Sequence, residues 1–216
     1  IFTMANFSRR LPVYLLIDTS GSMYGEPIEA VRQGIKALLM ELRTDPQALD
    51  TAYLSVITFS STAIQQCPLT ELISFKEPQL DAGGLTSLGA GLELLSQCIE
   101  NEVVKNSPTV KGDWRPLVFI LTDGVPTDTW EEQANKLKSE KPANIIACGA
   151  GAEASTEVLK KITENVILLN NLSAGDLSQF FKWVSDSIKL SSNSLDTKPD
   201  QPIDLPAPPP TFTIIP

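Results

Sequence analysis

Apolar residues fall along this chain in two rhythms. The first is the uninterrupted run: Val13 to Ile17, closed by Asp18, and Leu117 to Leu121. Runs of this length without a polar break predict strands buried on both faces of a sheet. The second is helical spacing. Ile28, Val31, Ile35, Leu38, Leu39 and Leu42 line one face of a helix, with Pro27 suited to its first turn. Tyr53 to Phe59 predicts a second strand, and Thr62 to Leu69 an edge strand joined to it by a tight Ser60-Ser61 turn. After a loop at 70–87, Leu88, Leu92, Leu95 and Ile99 mark another helix. The polar stretch 102–114, with Pro108 and Gly112, reads as an exposed loop. Short helices near 130–140 and 155–162 then alternate with strands at Asn144 to Cys148 and Val166 to Leu169. Leu177, Phe180, Phe181, Val184 and Ile188 predict a final amphipathic helix. The alternation predicts an α/β fold, a doubly wound and mostly parallel central sheet with helices on both faces and one antiparallel edge strand.

Residues 1–10 read as a leader, 11–190 as one domain and 191–216 as a tail. The tail holds seven prolines, and its composition predicts an extended or disordered segment. Arg9-Arg10 before the apolar Leu11 to Ile17 loosely resemble an export signal. That run stops at Asp18, lacks a small-residue cleavage site and is the first predicted strand. No stretch approaches membrane-spanning length.

Composition then removes whole classes of chemistry. Among 216 residues, 17 are basic and 26 acidic, a formal net charge of -9. Nucleic acid and anionic membrane are therefore poor partners, since both need basic side chains to neutralise phosphate. The chain has no histidine, which excludes Ser-His-Asp and Cys-His catalysis and every histidine-based metal site. Cys67, Cys98 and Cys148 lie in apolar stretches, are odd in number and form no C-x-x-C pair. They read as buried thiols, and the expected location is cytoplasmic.

The candidate chemistry sits at the ends of the two most apolar strands. In an open α/β sheet, ligands bind beyond the carboxyl ends of the strands where strand order reverses. Asp18 closes the first run and Asp123 follows the second. If the two strands are neighbours, two like charges meet at one edge, and no Lys or Arg adjoins either in sequence. A bound cation is the economical compensation. In Asp18-x-Ser20-x-Ser22 alternate side chains of an extended segment project together, and Gly21 lets the backbone bend around an ion. Carboxylate and hydroxyl oxygens suit a hard ion, Mg²⁺ with Mn²⁺ as substitute. Asp81-Ala-Gly-Gly-Leu-Thr-Ser87 supplies a glycine turn and then Thr86, either a third contributor or an ordinary helix cap.

Asp18-Thr-Ser-Gly-Ser22, Gly83-Gly-Leu-Thr86 and Thr122-Asp-Gly124 resemble the three segments of the metal-ion-dependent adhesion site of von Willebrand factor A (VWA) domains, over roughly residues 11 to 190. Within that family, Pro12 to Met23 and Gly84-Leu-Thr-Ser-Leu-Gly89 most resemble TerY-like proteins of bacterial tellurium resistance. The resemblance implies a Rossmann-like VWA fold in which Ser20, Ser22 and Thr86 bind the metal directly, with Asp18 and Asp123 acting largely through water and hydrogen bonds. It also implies a scaffold in phosphorylation signalling, associated with a protein kinase and a metal-dependent protein phosphatase.

Hydroxyl ligands leave most of the ion's charge uncompensated, so the metal seeks another anionic ligand. The expected function is binding without catalysis or a small-molecule substrate. A Glu or Asp of a partner protein docks on the metal within a rim of Gly21, Met23, Tyr24, Gly84, Leu85 and Val125. Haloacid-dehalogenase-like phosphatases, the enzymatic alternative, need a second Asp two residues after the first, where this chain has Ser20. Gly149-Ala-Gly-Ala-Glu-Ala154 formally fits a dinucleotide fingerprint. It follows a late strand and lacks the acidic residue at the end of the next, so it reads as a strand-to-helix turn. Asp128 is expected to cap the helix that follows it, and Trp114, Trp130 and Trp183 to pack in the interior.

Overall fold

The computed structural model describes residues 9–194 and 205–216. The strands are β1 (Leu11–Asp18), β2 (Ala52–Phe59), β3 (Ala63–Glu71), β4 (Leu117–Thr122), β5 (Asn144–Ala150), β6 (Asn165–Leu169) and β7 (Phe212–Ile215). The helices are α1 (Glu26–Leu42), α2 (Pro46–Thr51), α3 (Leu88–Glu102), α4 (Glu131–Glu140), α5 (Thr156–Ile162) and α6 (Ala174–Ser194). One seven-stranded sheet runs in the order β3-β2-β1-β4-β5-β6-β7.

Side-chain alternation along β1 divides the interior into two layers. Leu11, Val13, Leu15 and Ile17 join the face covered by α1, α2 and α6. Tyr14 and Leu16 join the face covered by α3, α4 and α5. Both faces are buried, which is why the run carries no polar break before Asp18. β1 pairs parallel with β2 on one side and with β4 on the other. The chain thus winds outward in both directions from the β1–β4 boundary, and a crevice opens beyond the carboxyl ends of these two strands.

Three features depart from the sequence expectation. The sheet has two antiparallel edges, since β3 runs antiparallel to β2 and β7 antiparallel to β6. The segment expected to be an extended or disordered tail instead carries α6 through Ser194 and places Phe212–Ile215 on the β6 edge. Its prolines masked a short β-branched and aromatic run, Phe212-Thr-Ile-Ile, whose phenyl ring is buried at one end of the core. The Trp183 indole N–H donates to the Pro206 carbonyl at 3.0 Å, fixing the return path. Residues 195–204 of that tail lie outside the described residues. The third departure is α2, opened by Pro46 and capped by the Asp45 carboxylate, which accepts from the Ala48 amide at 2.8 Å.

Residues 1–8 of the expected leader also lie outside the described residues, whereas Arg9 and Arg10 are anchored. The Arg10 guanidinium donates to both Asp113 oxygens at 2.8 and 2.6 Å, and that of Arg9 stacks 3.7 Å from the Trp114 ring. These contacts pin the end of the loop at 102–114, where Trp114 is buried, as its expected packing role requires. Trp130 and Trp183 are buried as expected, as are Cys98 and Cys148, whereas Cys67 on the edge strand is half-buried. Gly149 packs inside β5, and Gly151 turns the chain with a φ of 83°, so this stretch is the turn that its position predicted.

Candidate metal centre

Asp18 is the last residue of β1 and is wholly buried. Its Oδ1 accepts from the Ser20 amide at 2.8 Å and its Oδ2 from the Thr122 hydroxyl at 2.6 Å. Each carboxylate oxygen thus holds one donor, which fixes the orientation of the group at the strand end. Beyond Ser20 the chain enters a single 3-10 turn, Gly21–Met23. That turn brings Ser22 back beside Ser20, with the two hydroxyl oxygens 3.1 Å apart. Ser22 Oγ then donates to Asp123 Oδ1 at 2.9 Å, joining the β1 loop to the residue that follows β4.

Thr86 enters from the loop before α3. Two neighbouring loops hold that loop on the sheet edge. The Gly83 amide donates to Thr19 O at 2.8 Å, the Gly21 amide to Gly84 O at 3.1 Å and the Ser87 amide to Ser60 O at 2.8 Å. Gly84 has a φ of 84°, and a Cβ there would meet Ser61 Oγ at 2.5 Å, so glycine is required on both counts. A Cβ on Gly124 would lie 3.4 Å from Thr86 Oγ1, which places this hydroxyl beside the β4 loop. Among the described residues, the Thr86 hydroxyl has no hydrogen-bond partner. Asp18, Ser20, Ser22, Thr86 and Asp123 therefore meet at one place, beyond the β1–β4 boundary.

The electrostatics of the cluster are those of an uncompensated anion. Burial pushes the Asp18 carboxyl above the usual carboxylate range; the Ser20 and Thr122 hydrogen bonds oppose this, and the charge of Asp123 adds to it. Burial also raises Asp123, against the hydrogen bond from Ser22. Among the described residues, no basic side chain acts on either group. Two carboxylates, three hydroxyls and no sulfur or imidazole make an all-oxygen donor set. That set fits a hard divalent ion better than a soft one. Consistent with a hydroxyl-rich site, no group of three or more His, Cys, Asp or Glu is clustered for metal binding among the described residues.

Around the cluster, Tyr24, Leu85 and Val125 stand out at 79%, 59% and 55% exposure, one from each of the three loops. Gly21 and Gly84 are exposed beside them. Met23 departs from the expected rim: the 3-10 turn rotates it inward, and its thioether is fully buried in the core. Asp128 also departs from expectation. It does not cap α4, whose first residue follows Trp130. It accepts instead from the Gly89 and Ala90 amides, both at 3.0 Å, and so caps α3 from across the crevice. The Ser87 side chain at the α3 N-terminus makes no capping bond. Thr122, quoted within its motif but given no role, proves to hold Asp18. Its position directly before Asp123 was the available signal.

The family model described as von Willebrand factor type A domain matches residues 13–186. An uncharacterized protein of Synechocystis sp., sll0103, is 31% identical over 164 residues, covering 71% of this chain and 36% of that protein. Among solved structures, the von Willebrand factor type A protein from Catenulispora acidiphila aligns with a TM-score of 0.63 at 19% identity, over 85% of this chain and 43% of that one. Proximal thread matrix protein 1 from the mussel byssus aligns with a TM-score of 0.59 at 22% identity, over 86% of this chain and 46% of that one. In that structure a zinc ion occupies the MIDAS motif. The chain thus spans about a third to a half of the length of these relatives.

Proposed function

The chain belongs to the von Willebrand factor type A domain family, and from that premise we propose that it is a metal-dependent protein-binding module without catalysis of its own. One observation carries the reading. Three hydroxyls and two buried carboxylates converge beyond β1 and β4, with no basic side chain among the described residues to balance them. Ser20, Ser22 and Thr86 would hold the ion directly, while Asp18 and Asp123 orient the hydroxyls and supply the charge. Mg²⁺ is the ion this oxygen set selects, with Mn²⁺ as its substitute.

A metal held by neutral hydroxyls retains the charge to attract one more anionic ligand. An acidic side chain of another protein supplies it, seated among Tyr24, Leu85 and Val125. The exposed apolar area of these three would be covered on binding. The similarity of the Pro12 to Met23 and Gly84 to Gly89 stretches to TerY-like proteins supports a more specific role: a scaffold in a tellurium-resistance or stress signalling system, with a protein kinase or metal-dependent phosphatase as the partner. Among the described residues, no helix is long and apolar enough to cross a membrane.

Calorimetric titration with MgCl₂ and MnCl₂ tests the metal. We expect one site in the wild type and none in Thr86→Ala or Asp123→Ala. Absence of binding heat with both ions in the folded wild type would remove the reading. Capture of a protein kinase or metal-dependent phosphatase, retained with Mg²⁺ and lost with chelator or with Thr86→Ala, tests the partner.

A further inference from the structure

We infer that Thr127 and Asp128 are positioning residues for the metal centre: they lock the Thr86 loop to the β4 loop and thereby set the Thr86 hydroxyl against that loop at Gly124, the residue after Asp123. The inference rests on the metal-binding reading above and adds two residues that the three sequence motifs do not contain. Its basis is a pair of crossed attachments. The Thr86 amide donates to Thr127 Oγ1 at 3.1 Å, and the Thr127 amide donates back to Thr86 O at 2.9 Å. Both backbone groups of Thr86 are thus held by a single residue of the opposite loop, while the Thr86 hydroxyl is left without a partner among the described residues.

Asp128 makes the second attachment. Its two oxygens take the amides of Gly89 and Ala90, in the first turn of α3. Those amides have no intrahelical acceptor, and the positive end of the helix favours a carboxylate there. Gly89 allows the loops to approach this closely, because a Cβ would lie 2.2 Å from Thr129 O and 2.9 Å from Asp128 Oδ2. The α3 N-terminus is therefore committed to an internal anion rather than offered to a ligand. Bonds from Gly83, Gly84 and Ser87 fasten the Thr86 loop on its β1 and β2 side. On the β4 side the fastening runs through Thr127 and Asp128. Loosening it would leave Thr86 free to drift from the β4 loop although no proposed ligand had been substituted.

The test compares the full chain with Thr127→Val, Thr127→Ser, Asp128→Ala and Asp45→Ala, each checked for native circular dichroism. Asp45 caps α2 and serves as a control for cap loss alone. Mn²⁺ affinity by calorimetry should fall about tenfold or more in Thr127→Val and Asp128→Ala, as for other groups that orient ligands from behind. It should return to near the wild-type value in Thr127→Ser and be unchanged in Asp45→Ala. Without metal, hydrogen exchange at the Gly89 and Ala90 amides should quicken in Asp128→Ala. Thr127 is exposed, so Thr127→Val keeps the test sharp if Asp128→Ala unfolds. Wild-type affinity in Thr127→Val, or an equal loss in Asp45→Ala, overturns the inference and leaves the metal reading intact. No ion uptake by the wild type overturns both.

Discussion

The Thr122 hydroxyl donates to Asp18 Oδ2 at 2.6 Å, tying the end of β4 to the end of β1 within a wholly buried environment. Replacing Thr122 by Val keeps the shape and deletes the donor, leaving a buried carboxylate oxygen without its hydrogen bond. The expected cost is about 1–3 kcal/mol in urea unfolding. Thr122→Ser should unfold near the wild-type midpoint.

The raised carboxyls of Asp18 and Asp123 give a pH dependence whose sign follows from linkage. A carboxyl whose pKa is higher folded than unfolded binds more protons in the native state between those two values. Its contribution to stability therefore falls as pH rises through that window and is at its least favourable above it. Without metal, the melting temperature of the wild type should rise on mild acidification more than that of Asp123→Asn. With saturating Mg²⁺ the difference should shrink or reverse, because the ion favours the ionised form. Thermal melts of both proteins with EDTA and with Mg²⁺, across the carboxylate range, measure it.

Gly84→Ala should damage both the fold and the site. A φ of 84° costs a side-chain-bearing residue about 1–2 kcal/mol, and the added methyl must also displace Ser61 Oγ from 2.5 Å. Ser61 Oγ accepts from the Leu85 amide at 3.1 Å, so the displacement reaches the residue next to Thr86. Lower thermal stability together with weaker Mn²⁺ binding is the expected pair of results. Gly83→Ala has open space for its Cβ and should change neither measurement much.

The C-terminal strand should behave as part of the fold. Phe212→Ala removes a ring that is only 7% exposed and should destabilise by about 3 kcal/mol, while Ile214→Ala, at 59% exposure, should lie within about 0.5 kcal/mol of wild type. Deleting 205–216 uncovers the β6 edge, and an open edge recruits other strands. Light scattering should show self-association of the shortened chain.

The sheet and its main helices were legible because burial on two faces and burial on one leave different periodicities, 13–17 and 117–121 against 28–42. The gathering of these side chains was legible because Asp18 and Asp123 end the two apolar runs and Ser20 and Ser22 follow Asp18 closely, although a 3-10 turn, and not the expected extended alternation, sets Ser22 beside Ser20. Met23 was misread because its direction depends on the 3-10 turn, which neither apolar spacing nor the motif states. Asp128 was assigned to the helix next to it in sequence, yet it caps the one next to it in space. β7 was missed because composition averaged seven prolines over a segment whose last residues carry the strand signal. Only for Asp128 was the deciding interaction distant in sequence, and local pattern carries no term for it.

The three loops of the metal centre are brought together only by the completed sheet, since residues 18–22, 84–86 and 122–123 come from the two centre strands and a helix start. An unfolded chain scatters them, so it offers an ion no comparable set of oxygens. If the proposed ion binds there, each increment of it would pull on the folding equilibrium itself, in proportion to the logarithm of its concentration once the site is saturated. On the proposed function, a melting curve of this protein would double as a metal titration, and a cell's supply of the ion would tune how long the domain survives as well as what it can hold.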